Sequence, residues 1–555
     1  MHKIKLLLLS LLSGVILTLA WPPHGFPFLI FFAFIPIFFI SEKLENEETK
    51  MPLLKGIAYT FPGLLIWNIL TTWWIWNSTP EGSIATFILN AFFMSIFFGI
   101  WQWFRSTKPP KTTIPLALIS LWMTWEYLHL NWDLTWPWLN LGNVFSPCTE
   151  WVQWYEYTGA FGGTLWIFVV NILIFNTIKF FGKAERKKII TLATGTFLTI
   201  FVPMTISQIM YKTYDLSQAN PIEAVIVQQN TDPWEEEYVL SNVDQTIRLL
   251  QVANPVTTEH TELIICPESS IPHDIMEDEL LTKTYQPETY KYFGFVILDS
   301  FIAQRPQLNF ILGLSTMRQY DSKATETARK AGPKNLYKDY FNTSALYDKN
   351  GCEAVYHKSK LVPGVEKMPF PQVFGFLEEY AVNLGGISGS LGVDSAPKSF
   401  EVTTSQGVIK IGAPICYESA YGEHFAKFVR DGAVLMSVIT NDGWWKETPG
   451  HRQHFLFSKL RAVETRRTIM RAANTGISAF IDEKGDVHQA TKYGERVAIR
   501  QEVFPNERTT FYVKHGDYLA KIAIFINFGV ILFGIYLRIA RKRQGVGKGS
   551  AERAA

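Results

Sequence analysis

Three polar residues of the sequence stand directly after runs that predict β-strands, and their types suit acyl-transfer chemistry. Glu268 follows ELIICP, Lys358 follows a run that ends in AVYH, and Cys416 follows VIKIGAPI. A carboxylate can take a thiol proton, while an ammonium group can lower the thiol pKa and stabilise a developing oxyanion. Because the three residues lie far apart along the chain, their spacing alone does not show that they meet.

The cysteines leave several interpretations of Cys416 open. The four cysteines, at 148, 266, 352 and 416, form no CxxC pair and no zinc-ligand spacing, and so few in a chain of 555 residues argue against a disulfide framework. A single cysteine at the end of a strand is more often a small buried residue than a nucleophile. Composition and periodicity do not distinguish Cys416 from the other three cysteines.

Two histidines raise the question of a metal site. His451 and His454 lie at positions i and i+3 of a predicted helix, where they could both ligate a metal ion. No third histidine or carboxylate stands at metal-site spacing near them. We therefore expect polar residues at the start of a helix, and neither a metal ion nor another cofactor.

The elements around these residues predict an α/β domain. Strands covered on both faces are expected at the short apolar, β-branched runs 222–228, 262–266, 309–314, 408–415 and 433–439. Helical patterns occupy 236–253 and 451–472, and 474–487 predicts a hairpin. Strands that alternate with helices indicate α/β layers, in which functional sites gather at the carboxyl ends of strands.

Outside this domain the chain is dominated by apolar runs of membrane-spanning length. Hydrophobic residues make up 48% of the chain, and they are concentrated in its first 210 residues. About 20 apolar residues cross a bilayer. We count about eight such runs, with the second and fifth short, and expect the first to be retained rather than cleaved. The runs are 5–21, 26–41, 54–76, 83–104, 114–130, 160–180, 189–210 and 519–539.

Basic residues predict the orientation of these spans. Lysines and arginines cluster at the N-terminus, in alternate short loops and in the tail, whereas the loops 22–25, 77–82 and 131–159 carry none. The positive-inside rule then places both termini in the cytoplasm and the large insert in the periplasm of a bacterial inner membrane. We expect a membrane domain over 1–212, an extracytoplasmic catalytic domain over 213–515, an eighth span over 516–540 and a cytoplasmic tail over 541–555.

The loop 131–159 carries an unusual number of tryptophans, among them Trp132, Trp136 and Trp138. Because tryptophan favours the headgroup region of a bilayer, the loop is either an ordinary aromatic belt or a lipid-facing wall beneath the catalytic domain. The sequence favours neither interpretation.

The net charge of the chain is +2, which does not predict a nucleic-acid-binding surface.

Three stretches, ELIICPESSIP, YHKSKLVPGVEKMPF and GAPICYES, resemble in this order the Glu-Lys-Cys active site of the nitrilase superfamily. The resemblance implies a four-layer αββα sandwich. About eight spans, with such a domain inserted before the last one, resemble the apolipoprotein N-acyltransferase family, whose members add the third acyl chain of bacterial lipoproteins. The resemblance covers almost the whole chain, and the order of the three motifs is its most specific part.

The resemblance implies a role for each residue that matches a motif. Glu268 would be the general base, Lys358 the oxyanion-stabilising cation and Cys416 the nucleophile. Further matching positions would support the site or contact the substrates; they are Glu366, Tyr417, Glu418, Asn342, Trp234 and Trp444.

The sequence departs from the family pattern in places. Val365 and Lys367 flank Glu366, and Gly364 comes one place early, which puts the geometry of that loop in question. Gly443 and His129 also replace residues that are usual in the family. The loop 365–395, rich in glycine and aromatic residues, is a candidate lid on composition alone.

The implied reaction is an acyl transfer in two steps. Cys416 would attack an acyl ester of a phospholipid, phosphatidylethanolamine in the family, and the α-amine of a diacylglyceryl-cysteine apolipoprotein would then take the acyl group. One alternative is a membrane-anchored amidase, in which water resolves the thioester. Another is a transporter or scaffold that only binds lipid, although the spans carry few of the charges that transport sites need.

Overall fold

The structure, a computed structural model, describes residues 2–47, 49–181, 185–286, 291–332, 335–375 and 389–552. It consists of a layer of long apolar helices and an α/β domain. The helices that precede the domain are α1 His2–Ala20, α2 Ile35–Asn46, α3 Pro52–Thr72, α4 Pro80–Ser106, α5 Thr113–Leu130, α6 Ala160–Phe181 and α7 Arg186–Thr213. Part of the candidate lid, 376–388, lies outside the described residues.

The α/β domain contains two β-sheets and four longer helices. The strands are β1 Ile222–Gln228, β2 Thr261–Ile265, β3 Ile271–Met276, β4 Asn309–Tyr320, β5 Arg329–Lys330, β6 Tyr337–Asp348, β7 Gly351–His357, β8 Ser399–Thr404, β9 Gly407–Gly412, β10 Leu435–Thr440, β11 Ile469–Ala473, β12 Ala479–Ile481, β13 Val487–His488 and β14 Val497–Val503. The helices are α8 Asn242–Ala253, α9 Phe293–Ala303, α10 Gly422–Arg430 and α11 Pro449–Thr465, and the chain returns to the helical layer as α12 Tyr518–Glu552.

The two sheets stack face to face. The first has the order β14-β1-β2-β4-β6-β5, with β3 beside β4 and β7 beside β6, and the second has the order β13-β12-β11-β10-β9-β8. Ala224 and Ile226 of β1 lie in one core with Ile411 of β9 between the sheets. The alternate residues Val225 and Val227 pack against α8 and α9 on the other face. The predicted αββα sandwich is confirmed.

Two predicted helices have different limits in the structure. The pattern 236–253 becomes helical only at Asn242, because Ser241 and Asp244 form a capping box there. The prediction of a helix through 472 is wrong. Arg466 adopts a φ of 50° and ends α11, and the residues that follow pair with β10 as strand β11.

Seven helical segments within the described ranges are long and apolar enough to cross a membrane. The run 114–130 is not among the seven, although it forms α5. This helix carries Glu126 and His129, both buried, in its last turns. It nevertheless packs against α4, α6 and α12 within the helical layer.

One apolar core continues from the helical layer into the α/β domain. Trp74 and Trp138 lie in it together with Tyr417 and Phe457. Polar contacts cross the same junction, since Gln453 Nε2 donates to the Pro22 carbonyl at 2.9 Å and the Trp74 indole donates to Gln453 Oε1 at 3.1 Å. Trp138 is therefore buried beneath the domain, inside the protein.

Candidate active site

The ends of three strand segments bring Glu268, Lys358 and Cys416 into one buried site. Lys358 Nζ lies 3.2 Å from Glu268 Oε1, and both charges act on the Cys416 thiol. The exposed fractions are 1% for Lys358, 6% for Glu268 and 8% for Cys416. The fold thus brings a carboxylate, an ammonium group and a thiol together. The spacing of these residues along the sequence does not establish this.

The Glu268 carboxylate is held by three donors. Its Oε1 accepts from Lys358 Nζ and also from Asn342 Nδ2 at 2.8 Å, and its Oε2 accepts from the Asn441 amide at 2.8 Å. Asn441 follows β10 as Glu268 follows β2. These bonds fix the orientation of the carboxylate relative to the neighbouring groups.

Glu366, in the loop that follows Lys358, binds the Lys358 ammonium group. Its Oε1 accepts from Lys358 Nζ at 2.8 Å and from Asn342 Nδ2 at 3.1 Å, while its Oε2 accepts from the Val362 amide at 2.8 Å. The early Gly364 therefore does not keep Glu366 from the site. Burial on its own would lower the pKa of Lys358, but Glu268 and Glu366 outweigh it and hold that pKa well above its usual range.

Cys416 has an unusual backbone conformation. Its φ is 49°, a left-handed value that is uncommon for residues other than glycine and that recurs at functional sites. Burial, followed by the charge of Glu268, raises the pKa of the thiol, and Lys358 only partly counters them. The resting group is therefore a thiol, and a base would have to take its proton before it could act as a nucleophile.

Glu418 ties the Lys358 loop to the Cys416 turn. Its Oε2 accepts from the Ile415 amide at 2.8 Å, and its Oε1 accepts from the Ser359 amide at 2.8 Å and from the Tyr356 hydroxyl at 2.6 Å. The side chain is fully buried. It contacts the residues before Cys416 and after Lys358, so it positions both.

The aromatic site residues fall into two groups. Tyr417 stacks on Trp138, with ring centroids 5.9 Å apart, and donates its hydroxyl to the Thr135 carbonyl at 2.7 Å. Trp234 and Trp444 contact each other edge to face at 4.9 Å, and Trp234 is 51% exposed. Tyr417 therefore belongs to the buried junction, and the tryptophan pair belongs to the surface of the domain.

An apolar cavity of about 240 Å³ connects Cys416 with the helical layer. Among the residues that line it are Trp136, Val362, Trp445, His129 and, from α4, Leu89 and Phe93. Leu89 is also exposed on the outer surface of α4. The cavity therefore leads from the thiol towards a surface that lipid would cover.

A buried polar network behind Cys416 is missed by sequence reasoning. The Cys416 carbonyl accepts from Ser419 Oγ at 2.7 Å and lies 3.1 Å from His454 Nε2. His454 Nδ1 lies 2.8 Å from Asp442 Oδ1, and Arg471 donates to Asp442 Oδ2 at 2.7 Å. His454 thus braces the backbone of Cys416. The sequence contains one indication of this network, namely Asp442, a charged residue just after a run that predicts a buried strand.

His357, next to Lys358, lies between two carboxylates. Its Nε2 is 2.7 Å from Glu277 Oε2 and its Nδ1 is 3.1 Å from Asp394 Oδ1. Burial alone would lower the pKa of His357, but the two carboxylates raise it above its ordinary value. Because the folded pKa exceeds the unfolded one, the protonated imidazole stabilises the fold fully below about pH 6.5.

We predict that this stabilisation is lost as the pH rises through the folded pKa of His357. The free energy of unfolding of the wild type should fall relative to that of His357→Gln, by about 1.4 kcal/mol per unit of difference between the two pKa values. Thermal unfolding of both proteins between pH 6 and 9 measures this. Parallel curves for the two proteins would contradict it. Glu277 and Asp394, whose pKa values are lowered, lose their contributions only at acid pH.

Two family models match the chain. The apolipoprotein N-acyltransferase N-terminal domain matches residues 13–173, and carbon-nitrogen hydrolase matches residues 223–502. The second match contains Glu268, Lys358 and Cys416. The two matches lie on the helical layer and on the α/β domain respectively.

Curated relatives match over nearly their whole length. The apolipoprotein N-acyltransferase of Chlorobaculum tepidum is 26% identical over 532 residues, which are 93% of this chain and 94% of that protein. The apolipoprotein N-acyltransferase of Thermotoga maritima is 25% identical over 561 residues, which are 98% and 96%. Among solved structures, Saccharomyces cerevisiae Nit3, a nitrilase superfamily member, matches 53% of this chain and 93% of its own at 16% identity and a TM-score of 0.36.

Proposed function

The chain belongs to the carbon-nitrogen hydrolase family and is an enzyme of the apolipoprotein N-acyltransferase type, and we propose that it transfers a fatty acyl chain from a phospholipid to the N-terminal α-amine of diacylated bacterial apolipoproteins. The observation that carries this proposal is the cavity that joins the buried Cys416 to the helical layer. A substrate that arrives along an apolar path from a lipid-covered surface is itself a lipid.

In the first step Cys416 attacks an acyl ester of the donor. Glu268 takes the thiol proton, and the sulfur adds to the ester carbonyl, whose oxyanion is stabilised by the Lys358 ammonium group. The carbon–oxygen bond then breaks, and the lysophospholipid oxygen takes the proton from Glu268. The acyl chain remains as a thioester on Cys416, with its apolar tail in the cavity. Following the resemblance, we take phosphatidylethanolamine as the donor.

In the second step the α-amine of the apolipoprotein attacks the thioester. Glu268 takes a proton from the amine and gives it to the departing sulfur, and an amide forms. The raised pKa of Cys416 makes that proton necessary, because the thiolate is a poor leaving group in this environment. One carboxylate thus serves as base and acid in both steps.

The remaining site residues support this centre. Asn342 and Glu366 hold Glu268 and Lys358, Glu418 positions the nucleophile turn, and Tyr417 forms part of the cavity wall. Trp234 and Trp444, on the surface of the domain, are placed to meet the apolipoprotein as it enters.

The topology follows from the same scheme. The chain is a multi-pass membrane protein, and we place it in the bacterial inner membrane, with both termini in the cytoplasm and the α/β domain in the periplasm. The helical part extends over 1–212, the catalytic domain over 213–515, the last span over 516–540 and a cytoplasmic tail over 541–555. The absence of Lys and Arg from the loops beside the domain supports this orientation.

Trapping of the acyl-enzyme tests the proposal. The full chain in detergent is incubated with phosphatidylethanolamine that carries a labelled acyl chain, and we expect a hydroxylamine-sensitive adduct. Cys416→Ala should carry none. Cys352→Ala, which removes another buried cysteine, should carry as much as the wild type. An adduct on Cys416→Ala would mean that another residue is the nucleophile.

The fate of the adduct separates the proposal from its alternatives. A diacylated lipopeptide with a free N-terminus should discharge the adduct as an amide, and the same peptide with an acetylated N-terminus should not. Release of free fatty acid at the same rate with either peptide would favour a hydrolase. Failure of every phospholipid to form an adduct would favour a protein that only binds lipid.

A further inference from the structure

A second cavity lies at the opposite end of the helical layer. Its volume is about 750 Å³, within the range of about 300–1,000 Å³ typical of ligand sites. It is bounded by the end of α2, the start of α3, the end of α4 and the stretch 538–542 of α12. Since α4 has 27 residues, it spans about 40 Å, which separates this cavity from the domain end, where Asn77 contacts Trp445. We call it the basic cleft.

One wall of the basic cleft is a row of cations on α12. Arg538, Arg541 and Lys542 line it, and their i, i+3, i+4 spacing places them on one face of the helix. Arg543, the next residue, does not line it. Like charges on one helix face repel each other, so an anion between them would stabilise this arrangement.

Acidic residues do not neutralise these cations. Glu45 is the one acidic residue among those described that line the cleft, and its carboxylate is already paired with Arg105. Within the described part of the chain, Arg538, Arg541 and Lys542 have no carboxylate within 4.0 Å. The charge that complements the cleft must therefore come from outside the described residues.

The opposite wall is apolar and ends at a helix N-terminus. Leu53 and Leu54 of α3 and Trp103 of α4 line the cleft, and Leu54 is exposed. No side chain caps α3, which has Pro52 in its first turn, so its positive end also faces this region. A cleft with one cationic wall and one apolar wall suits an amphipathic anion. The charged group would lie against the cations of α12, and the acyl chains would lie against the apolar residues of α3 and α4.

We propose that the basic cleft binds the headgroup of an anionic phospholipid from the leaflet opposite the catalytic domain. The excess of cations selects a headgroup with net negative charge over a zwitterionic one. Basic pockets between helices at the ends of membrane spans are a known means of holding such lipids. This site lies far from Cys416, so it does not depend on the proposed reaction.

Lipid crosslinking in nanodiscs tests the site. The full chain is placed in phosphatidylcholine nanodiscs with phosphatidylglycerol that carries a photoreactive headgroup, and crosslinked peptides are mapped. We expect crosslinks to 51–54 and 103–108. We also expect Arg541→Gln to weaken phosphatidylglycerol binding, measured by native mass spectrometry, about fivefold.

A matched variant distinguishes the cleft from a general surface charge. Arg543→Gln removes the same charge two residues further along α12, outside the lining, and should bind as the wild type does. Arg541→Lys keeps the charge and should retain most of the binding, which separates lost affinity from misfolding. Thermal unfolding of each variant checks its fold.

Three results would overturn the proposal. Equal losses in Arg541→Gln and Arg543→Gln would indicate a diffuse attraction to the membrane. Crosslinks spread equally over residues 185–188, at the start of α7, would indicate the same. Displacement of the labelled lipid by inorganic phosphate would make the occupant a soluble anion instead of a lipid.

Discussion

Replacing Lys358 by methionine is expected to abolish acyl-enzyme formation and to destabilise the fold at the same time. Methionine is similar in length but leaves Glu268 and Glu366, which share the amide of Asn342, facing each other without their common cation. Loss of one partner of a buried ionic cluster costs about 3–5 kcal/mol. Loss of an oxyanion donor costs about 10²–10³ in rate, and the disturbed base adds to that.

Lys360→Met is the matched control for this prediction. Lys360 is half-buried two residues further on, and its ammonium group donates to the Leu130 carbonyl at 3.3 Å. We expect this variant to keep most of the activity. The double variant Lys358→Met/Glu366→Gln removes one of the opposed carboxylates, so it should recover stability without recovering activity. Thermal unfolding and adduct formation with labelled phospholipid measure the two effects; normal adduct formation by Lys358→Met would contradict the assigned role.

The second large effect is expected for Glu268→Gln. Glutamine has nearly the same shape and can still accept from the Asn441 amide, but it cannot take the thiol proton. Because the pKa of the Cys416 thiol is raised, few molecules hold a thiolate without the base. General-base contributions of about 10²–10⁴ in rate are typical, and we expect the rate of adduct formation to fall by roughly 10³.

The pH dependence of Glu268→Gln gives a sharper test than its rate alone. Removal of the Glu268 charge takes away one cause of the raised thiol pKa, so hydroxide can ionise the thiol more easily. The residual rate of the variant should therefore rise with pH up to the limit of stability. A rate that does not change with pH would show that Glu268 is not the group that takes the proton.

Glu237→Gln is the control for Glu268→Gln. Glu237 is a second buried carboxyl group, and it accepts from Asn441 Nδ2 at 2.7 Å. Burial, together with the Glu268 charge, raises its pKa to about 8, so at neutral pH it is mostly protonated and resembles glutamine. We expect only a small loss of rate. A loss as large as that of Glu268→Gln would make the base a pair of carboxyl groups.

Sequence patterns predict the elements of the α/β domain better than they predict its electrostatics. The buried strands around Ile226 and Val438 follow from short apolar runs, and the order of three motifs points to Glu268, Lys358 and Cys416. The direction of the Cys416 pKa does not follow, because it depends on how burial and Glu268 together outweigh Lys358. That balance is a property of the folded site.

Some features depend on contacts between distant parts of the chain. His454 is one residue of a helical pattern, and only the fold brings it to the Cys416 carbonyl. The end of α11 at Arg466 is another case, since its guanidinium binds Glu156 and Gln153 across the junction with the helical layer. A left-handed conformation anchored by such partners cannot be deduced from helix propensity.

The continuous core between the helical layer and the α/β domain limits how the chain can be truncated. Tyr417, beside the proposed nucleophile Cys416, and Phe457 lie in the same core as Trp74 and Trp138. A soluble fragment that begins after α7 and ends before α12 would expose this face and lose the support of the nucleophile turn. The helical layer thus serves as half of the scaffold of the candidate active site, and the Cys416 thiol would be held at a constant depth relative to the bilayer.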